Sequence, residues 1–71
     1  MVVEIFKTNV TQEKTAKKIL MDFRKQFPNY NVNFDLEDCD KILRIESQRR
    51  INHKRIIEFS IKNNFDIQLI K

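Results

Sequence analysis

From Tyr30 to Leu36 the chain alternates without a break: Tyr30, Val32, Phe34 and Leu36 stand against Asn31, Asn33 and Asp35. Successive side chains of a strand point to opposite faces, so this period of two predicts a strand with one buried face. A different period runs through the preceding segment. Ala16, Ile19, Leu20, Phe23 and Phe27 follow i, i+3, i+4, i+7 spacing, which predicts an amphipathic helix from about Gln12 to Gln26. Thr11 stands where an N-cap would, and Glu13 suits the positive end of the helix dipole. Pro28 ends the helix, because the residue before a proline is pushed out of α geometry. Lys14, Lys17, Lys18, Arg24 and Lys25 fall off the apolar stripe.

Val2 to Thr8 is rich in β-branched and aromatic residues and reads as a first strand. Glu37-Asp38-Cys39-Asp40 is polar and fits a hairpin turn, with a return strand from Lys41 to Glu46 whose inward pair is Leu43 and Ile45. Asn52 then resembles an N-cap, flanked by Ile51 and Ile56 at the two positions of a hydrophobic staple. A second helix follows to about Asn63, burying Ile56, Phe59 and Ser60 with Ile57 and Ile61 at the flank. Asn63-Asn64 supplies a left-handed helix exit. Phe65 to Lys71 reads as a last strand, with Phe65, Ile67 and Leu69 alternating. The order β-α-β-β-α-β, with right-handed crossovers around a central hairpin, predicts an α+β ferredoxin-like sandwich: a four-stranded antiparallel sheet with two helices on one face.

At this point the residues carry a family likeness along nearly the whole chain. Phe6-Lys7-Thr8-Asn9-Val10-Thr11 is similar to the first strand and metal-loop approach of the heavy-metal-associated domain, the small module of copper chaperones and metal-pumping ATPases. Val32-Asn33-Phe34-Asp35-Leu36 resembles its second strand, often V-x-V-D-L, and Asp40-Lys41-Ile42-Leu43-Arg44-Ile45 its third. Ile51-Asn52 with Ile56 resembles the start of its second helix, and Asn64-Phe65 stands where the family commonly has Gly-Tyr. The family's functional signature, M-x-C-x-x-C, falls here on Val10, Gln12 and Thr15. None matches. Soft thiolates hold cuprous ion and zinc in such loops, and an amide and a hydroxyl do not replace them. The resemblance therefore implies a degenerate member without the family's metal site and with no cofactor. A helix N-terminus with Thr11 and Lys14 suits an anion better than a cation, although a simple helix cap is the plainer reading of Thr11.

Size and composition narrow the remaining classes. Seventy-one residues make one domain. One cysteine permits no internal disulfide, the amino-terminal residues do not read as a signal peptide, and no apolar run spans a membrane, so a soluble cytoplasmic protein is expected. Glycine is absent, which excludes glycine-rich phosphate loops. Cys39 lies between Asp38 and Asp40, whose charge disfavours a thiolate and makes it an inert surface thiol. His53 has no second histidine or cysteine to complete a ligand set or a nucleophile pair. The acidic group Asp35, Glu37, Asp38 and Asp40 lacks the register of a calcium loop. Nothing here points to an enzyme.

Two surfaces remain as partner candidates. With Phe6 and Thr8 pointing to the helices, Val3, Ile5, Ile42 and Ile70 point away and form an apolar patch suited to a protein partner or a second copy of the chain. Arg49, Arg50, Lys54 and Arg55 form a basic patch on a chain of net charge +4. Nucleic acid is the less favoured partner on this reading, since the third strand has no aromatic on which a base could stack. The expected function is a non-catalytic protein-interaction module. The alternatives are a metal carrier that recruits Cys39 from two chains and a nucleic-acid-binding module.

Overall fold

The computed structural model describes residues 1–70. The elements are β1 (Val2–Thr8), α1 (Glu13–Gln26), β2 (Asn31–Asp35), β3 (Ile42–Ser47), α2 (His53–Lys62) and β4 (Ile67–Leu69). They form one four-stranded sheet of order β2-β3-β1-β4 in which every pairing is antiparallel. This is the ferredoxin-like arrangement. The expected last strand began at Phe65 and ran to Lys71. Phe65 is buried but lies before β4, and Lys71 is outside the described residues.

The register explains which side chains are inside. Phe6 pairs with Leu43 and Glu4 with Ile45, while Val32 pairs with Ile45. Residues paired across a sheet share a face, so Phe6, Leu43, Ile45 and Val32 all point to the helices. They pack there against Ala16, Ile19 and Phe23 of α1 and Ile56 and Phe59 of α2 in one continuous core. Leu20 is half-buried at its border. Aromatic rings join the helices to each other: Phe23 meets Phe59 edge-on with centroids 4.8 Å apart, and Phe27 lies 4.9 Å from Phe23.

The first helix begins one residue later than the sequence suggests. Gln12, not Thr11, is the N-cap, and no side chain caps the helix. Val10 is buried and its N–H donates to Thr8 Oγ1 (3.2 Å), so the chain must turn inward before it can enter the helix. Thr11 is left exposed. The second helix follows expectation. Asn52 accepts from the Arg55 N–H at 3.2 Å, and Ile51 and Ile56 are both buried as the staple requires. Asn52→Ala is expected to lower stability by about 1 kcal/mol, the usual worth of such a cap. Thermal unfolding followed by circular dichroism would show it, and an unchanged midpoint would mean the cap contributes nothing here.

Candidate functional site

Strand direction sorts the molecule into two ends. The β2–β3 hairpin, the β1–α1 loop and the exit of α2 lie at one end. The α1–β2 turn and the β3–α2 loop lie at the other.

The β1–α1 loop is held from two sides. Thr8 N–H reaches the carbonyls of Asp40 and Lys41 at 3.2 and 3.1 Å, and Thr8 Oγ1 donates to the Lys41 carbonyl. Asn9 exchanges two hydrogen bonds with Asp66: its Nδ2 donates to Asp66 Oδ2 at 3.2 Å and its Oδ1 accepts from Asp66 N–H at 2.9 Å. Hairpin, loop and the approach to β4 are thereby tied together. Gln12 and Thr15 are both exposed. They sit at the N-cap and in the first turn of α1, at a preformed helix start. Lys14 turns toward the exit of α2, where Lys14, Thr15, Lys18, Lys62, Asn63 and Asn64 line a recess of about 420 Å³. Thr11 does not join it.

At the hairpin, one donor atom each from Asp38, Cys39 and Asp40 falls within a 4.8 Å cluster. Asp38 Oδ1 already accepts from Asp40 N–H at 2.8 Å, which shapes the turn, and Lys7 Nζ lies 3.7 Å from Asp40 Oδ1. The carboxylates are thus engaged in the hairpin's own bonding, and Cys39 is exposed.

The face away from the helices carries the expected aliphatics, interleaved with charge. Val3 pairs with Glu46, Ile5 with Arg44 and Lys7 with Ile42, and the Ile70 N–H donates to the Ile5 carbonyl at 2.9 Å. Val3 and Ile70 are exposed; Ile5 and Ile42 are half-buried. Arg44 and Glu46 form an ion pair at 3.1 Å along β3. Lys7 and Arg44 are matched on this face by Asp35 and Glu46, so the apolar residues lie in a field of no net charge. No aromatic occupies an outward position of β1 or β3.

The other end is different in kind. Residues 23–34 and 47–57 contain no aspartate or glutamate. They contribute Arg24 and Lys25 in the last turn of α1, Arg49 and Arg50 in the β3–α2 loop, and Lys54 and Arg55 in the first turn of α2, all exposed. Among the described residues none of these cations lies within ion-pair distance of a carboxylate. The end is built on aromatic rings. Tyr30 lies flat on Phe27, with centroids 5.4 Å apart and planes 7° from parallel, and the Arg55 guanidinium stands 5.0 Å over the Phe27 ring. The Tyr30 hydroxyl accepts from Asn52 N–H at 3.2 Å.

His53 has a role that the sequence reading missed. Glu4 shares the inward parity of Phe6, and His53 Nε2 lies 2.8 Å from Glu4 Oε1, with the imidazole edge-on to Phe6 at 6.3 Å. The contact fastens the start of α2 to β1. Counting outward from Phe6 in steps of two would have found Glu4 beneath the helices.

No protein-family model, curated protein or solved structure matches this chain. Among the described residues no helix is long and apolar enough to cross a membrane.

Proposed function

We propose that this chain is a non-catalytic protein-binding module on a heavy-metal-associated scaffold that has lost its metal site. The observation that carries the reading is the open sheet face. Both helices pack on one side of the sheet, and the other side presents Val3 and Ile5 on β1, Ile42 on β3 and Ile70 just past the end of β4. Exposed aliphatics grouped on one face are the ordinary basis of protein contact. The charges around them cancel, which favours a protein surface over a polyanion. Gln12 and Thr15 stand at a helix start, where the resemblance sets the family's two cysteines, and an amide and a hydroxyl are weak ligands for a soft ion.

A second copy is the simplest partner. The face carries Lys7 and Arg44 together with Asp35 and Glu46, so two copies related by a two-fold axis can place each sign against its opposite. Ile5 is central, with Arg44 across on β3 and Ile70 beside it toward β4. Light scattering across a concentration series is expected to show dimer for the wild type and monomer for Ile5→Asp, with the far-ultraviolet dichroism of both alike. Monomer for both at every concentration would remove the self-association.

A further inference from the structure

We infer that the end of the sandwich formed by the α1–β2 turn and the β3–α2 loop binds single-stranded nucleic acid, with Arg49 and Arg50 on the phosphates and Tyr30 beneath a base. The inference concerns a surface at the end of the sheet and does not depend on the dimer proposed for the open face.

The charge distribution comes first. A chain of net charge +4 gathers Arg24, Lys25, Arg49, Arg50, Lys54 and Arg55 at one end, where Glu4 and Glu46 are held by His53 and Arg44, while Asp22 and Glu58, farther along the two helices, pair with none of these cations. The carboxylates Asp35, Glu37, Asp38 and Asp40 lie at the opposite end, around the β2–β3 hairpin. Crowded cations without partners repel one another, and an anionic ligand relieves that repulsion. Guanidinium groups present fixed forks of N–H donors that match phosphate oxygens.

Shape comes second. Asn29, Tyr30, Ser47, Gln48, Arg49 and Arg50 line a recess of about 540 Å³. It holds the two arginines, two exposed amides (Asn29 and Gln48) able to bond a base edge or sugar, and one aromatic ring; Ser47 is buried, and its Oγ accepts from the Arg49 N–H at 3.1 Å. Tyr30 is fixed before any ligand arrives. Phe27 covers one face of its ring and Asn52 engages its hydroxyl, so the surface it gives to the recess is the remaining part of the ring. A rigid aromatic beside a basic groove is the combination that holds single strands, because stacking accepts any base and phosphate contacts accept any sequence. A duplex buries its base faces and cannot use Tyr30. An acidic peptide would use the arginines but gains nothing from the ring. The missing aromatic of the third strand does not bear on this surface, since Tyr30 precedes β2 and sits at the end of the sheet.

The test is fluorescence anisotropy of an end-labelled oligothymidylate at several salt concentrations. The wild type is expected to bind at low salt and to weaken steeply as salt rises. Arg49→Ala/Arg50→Ala should bind roughly tenfold more weakly, with a salt slope smaller by about 1.4, which is the loss of two single-strand phosphate contacts. Lys17→Ala/Lys18→Ala removes the same charge from the middle of α1 and should keep most of the affinity. An abasic strand of equal length should bind about tenfold more weakly than oligothymidylate, the usual worth of one stacked base. No binding at low salt would overturn the inference. So would an arginine variant that matches the lysine variant, an abasic strand that binds as well as the intact one, or a polyglutamate of equal charge that binds as tightly as the nucleic acid. Both variants alter exposed side chains outside the core, and their thermal unfolding should match the wild type.

Discussion

Phe23→Ala is expected to leave the chain largely unfolded in buffer at ambient temperature. Phe23 is 0% exposed and touches both Phe27 and Phe59, so it joins the two helices across the centre of the core. Truncating a phenylalanine in such a place costs about 3–5 kcal/mol, from lost burial and from the cavity that remains. A single core in a chain of this size rarely supplies more than about 3–5 kcal/mol in total. The single cysteine offers no internal disulfide to make up the difference. The two figures are equal within their spread, so the loss removes most of the stability. Urea titration followed by circular dichroism would show a variant without a cooperative transition. Phe23→Leu keeps most of the volume and should retain one, at a lower midpoint. A Phe23→Ala protein that unfolds near the wild-type midpoint would mean that the core closes around the gap, and that the ring cluster is not what joins the helices.

Gln12→Cys/Thr15→Cys is expected to give a protein that takes up Cu(I) stoichiometrically. Gln12 is the N-cap and Thr15 the third helical residue, the two positions whose side chains meet in a capping box. Both are exposed, and cysteine there displaces no packing. A helix N-terminus lowers the pKa of a nearby thiol and so favours the thiolate that binds metal. Two thiolates suit a soft monovalent ion, where the native amide and hydroxyl do not. The loop itself is already braced by Thr8 and Asn9, so little ordering is left for the metal to impose. Competition against a coloured Cu(I) chelator measures the outcome, in a Cys39→Ser background that removes the hairpin thiol. Copper taken up by the wild type would refute the proposed loss of the site. A double variant that leaves the chelator undisturbed would refute the match of Gln12 and Thr15 to the family's ligand positions.

Periodicity made most of the architecture legible. The stripe from Ala16 to Phe27 and the alternation around Val32 are each written in consecutive residues, and burial follows them. Asn52 was legible for the same reason, since a cap and its staple lie within a few positions. What stayed hidden depends on contacts between residues far apart in the chain. Thr11 looked like a cap because nothing in its own neighbourhood shows that Val10 is drawn into the core by a loop anchored on Lys41. The Glu4–His53 contact joins β1 to α2, and no local pattern announces it. The sheet-face aliphatics were visible as strand parity, but the charges set among them emerge only from the cross-strand register. Arg49 and Arg50 were visible as a basic run. Their recess was not, because it takes Tyr30 from the far side of the hairpin to complete it.

Lys41 and Asn64 adopt left-handed backbone angles, with φ of 50° and 61°, in a chain that has no glycine. An L-residue resists that conformation by about 1–2 kcal/mol, asparagine least of all. The corner before β3 and the corner after α2 are therefore held in place by their surroundings: Lys41 by its N–H to the Asp38 carbonyl and its ammonium to the Leu36 carbonyl, Asn64 by its N–H to the Ile61 carbonyl. A polypeptide lacking its most pliant residue also has fewer shapes to explore when denatured, which offsets part of this strain. Each of the two corners is closed by its own hydrogen bonds. A partner that touched either of these two corners would meet a backbone already set, with less ordering left to cost it affinity.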